Sequence, residues 1–263
     1  MKSWLSLIGA AALALAAGSA SAQDTLRVGT EGAYPPYNAT DSSGKLVGLE
    51  VDLANELCKR TGMKCEIMQQ EWDGMIPALQ NKRFDAIMAG MSITPERKEK
   101  IAFTIPYSQT PAWFVGAKDG ILKDVKTLDD IKKALAGKKV GVQRSTIHQN
   151  FLEQKIPGIE VVLYDTVDDS NLDLVNGRVD AVLADSTGWG PFLKSPEGQG
   201  FDHFGPALTG KDDPLFGEGV GIGLRKEDTA LKAKLDKAIQ EMNADGSMTK
   251  LSIQWFGFDT SVK

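Results

Sequence analysis

Two stretches of this chain, Asn81-Lys82-Arg83-Phe84-Asp85-Ala86-Ile87-Met88-Ala89-Gly90 and Asn176-Gly177-Arg178-Val179-Asp180-Ala181-Val182-Leu183-Ala184-Asp185, follow one pattern 95 residues apart. Each is a polar turn, an Asp, a short apolar run and a sudden stop. A period that long exceeds the roughly 20–50 residues of a solenoid repeat, so two similar α/β halves are the simpler reading. The first copy continues into Met91-Ser92-Ile93-Thr94-Pro95-Glu96-Arg97. There a buried strand stops, turns through small residues and starts a short helix, with Thr94 suited to the N-cap and Pro95 to the first helical position. Backbone N–H groups are thereby left free beside Arg97, where an anion can sit.

The rest of the chain repeats the alternation of strand and helix. A strand over 26–30 leads into a loop carrying Glu31, Tyr34 and Tyr37, and 41–44 is a turn. A helix over 50–60 ends at Thr61-Gly62 before a strand over 64–68. Asp73 is expected to cap a helix that turns Met75, Ile76 and Leu79 inward, with Trp72 just before it. The stretch 101–118, broken by Pro106 and Pro111, reads as a crossing between halves. Helices over 127–136, 145–154 and 169–176 then alternate with strands over 139–143, 159–164 and 179–184. A strand over 219–224 and helices over 229–244 and 248–255 complete the chain. Glycines 217, 219, 221 and 223 lack the spacing of a dinucleotide fingerprint and read as close strand packing.

The N-terminus has a basic start at Lys2, an apolar run over 5–17 and the small-residue ending Ala20-Ser21-Ala22. That is the pattern of a secretory signal over residues 1–22, and the apolar run is shorter than the roughly 20 residues of a membrane span. The formal net charge of −5 becomes one unit more negative once Lys2 is removed, which argues against nucleic acid and anionic membrane as partners. Cys58 and Cys65 are the only cysteines. In an exported chain their default state is a disulfide, and closing so short a loop stabilises by about 2–3 kcal/mol. Two ligands make a poor zinc site, and no metal or cofactor is expected.

Ligands of parallel sheets collect at the carboxyl ends of strands, and Glu31, Trp72, residues 90–97, residues 143–146 and Asp185 all fall there. Together they offer one cation, free helix N-terminal amides, two carboxylates and aromatic faces. This set suits a zwitterion with an additional positive end: Arg97 for a carboxylate, Asp185 for an ammonium, Glu31 for a distal cation stacked between rings. Singly, each residue has a commoner role: an Arg in a first helical turn is usually solvated, a Trp before a helix is more often core, and a strand-end Asp is more often a turn or cap residue.

Over its whole mature length the chain resembles the extracytoplasmic solute-binding proteins of ABC importers for polar amino acids, within them the lysine/arginine/ornithine and histidine binders. The likeness is carried by Gly29-Thr30-Glu31-Gly32-Ala33-Tyr34-Pro35-Pro36-Tyr37, by Leu57-Cys58-Lys59-Arg60 with Cys65, and by Trp72-Asp73-Gly74-Met75-Ile76-Pro77-Ala78-Leu79. Met91 to Arg97 and Phe216-Gly217-Glu218-Gly219-Val220-Gly221-Ile222-Gly223-Leu224-Arg225-Lys226 extend it. The resemblance implies an α/β fold of two Rossmann-like lobes with a ligand cleft between them, the type II periplasmic binding protein architecture. Lobe one would comprise residues 24–110 and 211–263, and lobe two residues 111–210, with crossings near 108–112 and near Ser186 or 207–210.

The same resemblance implies that Arg97 with the Ser92 and Thr146 amides binds an α-carboxylate and Asp185 the α-ammonium. Tyr34 and Trp72 would sandwich the side chain, Glu31 would pair with its basic terminus, and Cys58–Cys65 would match the family disulfide. Ala89, Gly90, Met91 and Gln143 complete the expected lining. Ala89 and Gly90 stand where basic amino-acid binders often carry serines, and Ser145 where Gly is frequent, which leaves room for a longer ligand. Opine binders show a similar pattern, but Asp185 argues for a free α-ammonium. The expected function is therefore a non-enzymatic, monomeric periplasmic binding component that delivers arginine, ornithine or lysine to an ABC permease. A histidine or opine binder is the alternative within the family, and a cyclohexadienyl dehydratase-like enzyme the alternative outside it. Any membrane receptor it serves would be a separate chain.

Overall fold

The computed structural model describes residues 24–262, so the expected signal peptide over 1–22 lies outside the described residues. The chain enters with β1 (Thr25–Thr30), whose Leu26 and Val28 point into the core. Beyond it the expected loop is shaped by a small antiparallel sheet of β2 (Ala33–Tyr34), β3 (Asn38–Thr40) and β4 (Leu46–Val47). Helix α1 (Leu49–Thr61) buries Leu53, Ala54, Leu57 and Cys58, and stops at Gly62, whose N–H meets the carbonyls of Cys58 and Lys59. β5 (Lys64–Gln69) runs parallel to β1, and the Cys58–Cys65 disulfide ties the end of the helix to the start of this strand.

Next comes a 3-10 turn over Trp72–Gly74, then α2 (Met75–Gln80). Asp73 does not cap this helix: it lies inside the 3-10 turn, and no side chain caps α2. The continuous winding from one helix type to the other leaves no extended residue at 73, the geometry a side-chain cap needs. β6 (Ala86–Ile87) is shorter than the expected strand, although the Asp85 and Met88 N–H groups still donate to β1 carbonyls. At Gly90, with φ 62, the backbone leaves the sheet. Helix α3 (Pro95–Lys100) starts as expected, Thr94 Oγ1 accepting from the Arg97 N–H. β7 (Ala102–Phe103) is followed by the proline-broken crossing and then by β8 (Ala112–Ala117) in a second sheet.

That second half contains α4 (Leu128–Leu135), β9 (Lys139–Gln143), α5 (Ile147–Lys155), β10 (Glu160–Tyr164), α6 (Val167–Val175) and β11 (Ala181–Asp185). Helix α6 begins earlier than expected because Thr166 caps it. Two further elements, α7 (Ser186–Lys194) and β12 (Phe201–Leu208), have no clear local signal. The helix carries Gly188, Gly190 and Pro191, and the strand Gly205 and Pro206, residues that oppose each state locally. Ser186 therefore opens a helix, and the chain stays with the second sheet as far as Leu208. It returns to the first sheet at β13 (Gly223–Leu224), preceded by isolated bridges from Val220 to Ser92 and Ser108. A Cβ at Gly221 would lie 2.7 Å from the Ile93 side chain, as close packing requires. Helices α8 (Thr229–Ala244) and α9 (Ser247–Phe256) pack back on α1, burying Leu235, Ile239, Met242 and Met248 with Leu53 and Leu57. Each such side chain contributes about 1.5–3 kcal/mol by leaving water.

The two sheets have the same plan. The first runs β5-β1-β6-β13-β7 and the second β10-β9-β11-β8-β12. In both, three parallel strands are followed by an antiparallel one, and the repeated sequence pattern occupies the central third place, β6 and β11. The carboxyl ends of β1, β6, β9 and β11 carry Glu31, the 89–92 turn, Gln143 and Asp185 toward one cleft.

Candidate ligand-binding site

Between the sheets lies a cavity walled by residues of both, the concave kind of place where small molecules bind. Ten of the eleven residues expected from sequence line it: Glu31, Tyr34, Trp72, Ala89, Gly90, Ser92, Arg97, Gln143, Thr146 and Asp185. Met91 does not. Its side chain is buried in the first-lobe core with Met75, Ile87 and Ile93, because the backbone alternates direction through the turn and Ser92 takes the cleft side. Ile147, His148, Val167, Leu183 and Ala184 also line the cavity and were not expected. Of these only His148 carried a sequence signal, a polar residue in the first turn of a helix that opens at a strand end.

Arg97 is held by α3, whose Thr94 cap and Pro95 start aim its side chain back along the turn. The guanidinium donates to the Ser92 carbonyl at 3.0 Å and to the Ser145 carbonyl, across the cleft, at 3.4 Å. It lies 5.2 Å from the Trp72 ring centroid, a cation–π contact. Burial lowers its pKa to about 10, with Glu96 and Asp185 opposing, so it remains a cation at neutral pH. Among the described residues no carboxylate forms an ion pair with it. A buried cation partnered only by carbonyls and a ring is poised for an anion.

Asp185 ends β11 and is buried; its Oδ2 accepts from the Tyr34 hydroxyl at 2.8 Å, and its Oδ1 lies 3.5 Å from His148 Nε2. Burial, with the Asp185 charge, raises the Tyr34 pKa well above its usual value, so the phenol stays a donor. Thr146 caps α5: its hydroxyl donates to the Gln143 carbonyl and accepts from the Gln149 N–H, leaving main-chain groups for an anion. At Gly90 the positive φ favours glycine, and a Cβ there would also lie a tight 3.1 Å from the Tyr34 ring.

Glu31 and Trp72 also line a neighbouring cleft with Asp73, Arg144 and Asp165, whereas Ser92, Ile147 and Asp185 line a different one. Only 5% exposed, Glu31 accepts from Gln143 Nε2 at 2.6 Å. Burial pushes its pKa up to about 7; the Gln143 bond opposes the rise and the Glu50, Asp168 and Asp73 charges add to it.

Sequence reasoning gave Glu50 no part in the site, yet it supports the whole first-lobe wall. This buried carboxylate accepts from the Gly90 N–H at 2.7 Å, from Asn38 Nδ2 at 2.6 Å and from the Tyr107 hydroxyl. Asn38 in turn accepts from the Gly32 N–H at 2.7 Å. One side chain thus ties the loop after β1, the 89–92 turn and the crossing together, although burial raises its own pKa. An acidic residue beside the apolar face of a helix was the only local trace of this role.

Residues 26–258 match the family described as bacterial extracellular solute-binding proteins, family 3. An L-arginine-binding protein of Pseudomonas aeruginosa is 41% identical over 259 residues, 97% of each chain. The octopine-binding periplasmic protein of Rhizobium meliloti is 39% identical over 288 residues, covering 95% of this chain and 97% of that one. Among solved structures, a Salmonella typhimurium periplasmic binding protein described for its high arginine specificity has a TM-score of 0.79 at 32% identity, covering 89% of this chain and 99% of that chain.

Proposed function

The chain belongs to family 3 of the bacterial extracellular solute-binding proteins, and we propose that it is the periplasmic component of an ABC importer that closes on a basic amino acid, arginine ahead of ornithine and lysine. Its fold is the two-lobed α/β architecture of type II periplasmic binding proteins. The observation that carries the reading is a pair of buried, oppositely charged groups lining one cavity, neither in an ion pair among the described residues. Arg97 is a buried cation held by carbonyls and a ring, and Glu31 is a buried carboxyl whose partner is a neutral amide. A zwitterion with a distal cation answers both, its α-carboxylate on Arg97 and the α5 N-terminus, its ammonium on Asp185, its side chain along Trp72 and Tyr34.

On this reading lobe one is residues 24–110 with 211–263, lobe two is residues 111–210, and the crossings near 108–112 and 207–210 are the hinges. Contacts that join the lobes, Tyr34 to Asp185, Gln143 to Glu31 and the Trp72 indole N–H to the Ser145 carbonyl at 3.2 Å, would form on closure. The signal over 1–22 would be cleaved on export, and the closed monomer would dock on a membrane permease. The named relatives are binding proteins, which favours transport over catalysis. Titration calorimetry with a panel of amino acids tests the proposal. Micromolar or tighter binding of arginine, ornithine or lysine is expected, and no heat with any basic amino acid refutes it.

A further inference from the structure

His148 is the second residue of α5, is 5% exposed, and lines the cavity with its ring against Phe216. Its Nε2 has no hydrogen-bond partner among the described residues. Asp185 Oδ1 stands 3.5 Å away, beyond the roughly 2.7–3.2 Å of an N–H···O bond. The other Asp185 oxygen is taken by Tyr34. A buried ring nitrogen and a buried carboxylate oxygen therefore stand side by side, and a third atom about 2.8–3.0 Å from each would bridge them.

We propose that His148 Nε2 and Asp185 Oδ1 together form the seat of the ligand's primary α-ammonium, making His148 a specificity-determining contact. The inference rests on the reading that this cavity holds an amino acid. In the Nδ1–H tautomer an imidazole carries a lone pair at Nε2, and that is the form this seat requires. A primary ammonium has three N–H donors, enough to satisfy the nitrogen and the carboxylate oxygen and keep one in reserve. A ligand without the amine leaves two buried acceptors unpaired, and unpaired buried groups discriminate far more strongly than lost apolar contact.

Calorimetry with arginine and with its deamino analogue, on wild type, His148→Leu and His148→Gln, separates the outcomes. His148→Leu weakens arginine by about tenfold and the deamino analogue by less than about twofold, and His148→Gln, whose amide oxygen can accept in the same place, recovers most of the loss. Equal losses for both ligands, or none for arginine, overturn the inference and leave the basic amino-acid reading standing. Wild-type protein that binds no basic amino acid overturns both. Should His148→Leu not fold, nitrogen NMR of the wild-type histidines decides, with His203 as the exposed control. Arginine, and not its deamino analogue, moves the His148 Nε2 resonance as a hydrogen-bonded acceptor; a proton found on Nε2 in the arginine complex overturns the inference.

Discussion

Replacing Glu31 by Gln should make the free protein more stable and the binding protein worse. Burial raises the Glu31 pKa from 4.5 to about 7, so the fold favours the protonated form. A raised carboxyl pKa contributes stability that is fully present below the unfolded pKa and is lost as pH rises through the folded one. At about 1.36 kcal/mol per pKa unit, ionising Glu31 costs the unliganded fold about 3 kcal/mol by pH 8. Glu31→Gln removes the ionisation and keeps an acceptor for Gln143 Nε2, which now donates at 2.6 Å. At pH 8 the variant should unfold about 3 kcal/mol later than wild type in urea, and at pH 4 the two should nearly coincide. The same substitution removes the partner of the ligand's distal cation, so arginine affinity at pH 8 should fall by about tenfold or more. Urea denaturation at both pH values, paired with calorimetry, reads both effects. A variant no more stable than wild type at pH 8 would refute the argument that Glu31 is a strained carboxylate kept for binding.

Three further outcomes follow from the same geometry. Arg97→Ala should weaken arginine by about a hundredfold, since it removes a charge-assisted carboxylate contact; unchanged affinity in calorimetry would take Arg97 out of the site. Glu50→Ala should cost about 2–4 kcal/mol in urea unfolding and weaken ligand binding as well, because Gly90, Asn38 and Tyr107 all lose their acceptor; a loss below about 1 kcal/mol would show that the tie between the three segments is unimportant. Replacing Cys58 and Cys65 together by Ala should lower stability by about 2–3 kcal/mol with affinity little changed, measured by the same two methods; a large affinity change would mean the disulfide shapes the cleft.

Much of this was legible before any coordinates. Elements with local periodicity or a cap, such as α3 behind Thr94, α8 over Thr229–Ala244 and the β1-α1-β5 unit, stand where the residues point. The failures have local and distant causes. Asp73 looks like a cap but is wound into the 3-10 turn, Met91 looks like a lining residue but turns away as the backbone alternates, and α7 and β12 carry no clear local signal because contacts from elsewhere hold them. α7 holds Trp189 fully buried and keeps its helix despite Gly188, Gly190 and Pro191. Tertiary burial outweighs propensities of about 1 kcal/mol per residue.

By itself the sequence determined the α/β alternation, the doubling of one unit and the residue types gathered at strand ends, because periodicity, caps and turns act over a few residues. Only the tertiary structure decided which groups meet: His148 beside Asp185, Glu31 against Gln143, and Glu50 beneath Gly90. Those pairs lie 37, 112 and 40 residues apart. Their energies come from desolvation and hydrogen bonding in a shared low-dielectric space, and that space exists only once the two sheets face each other.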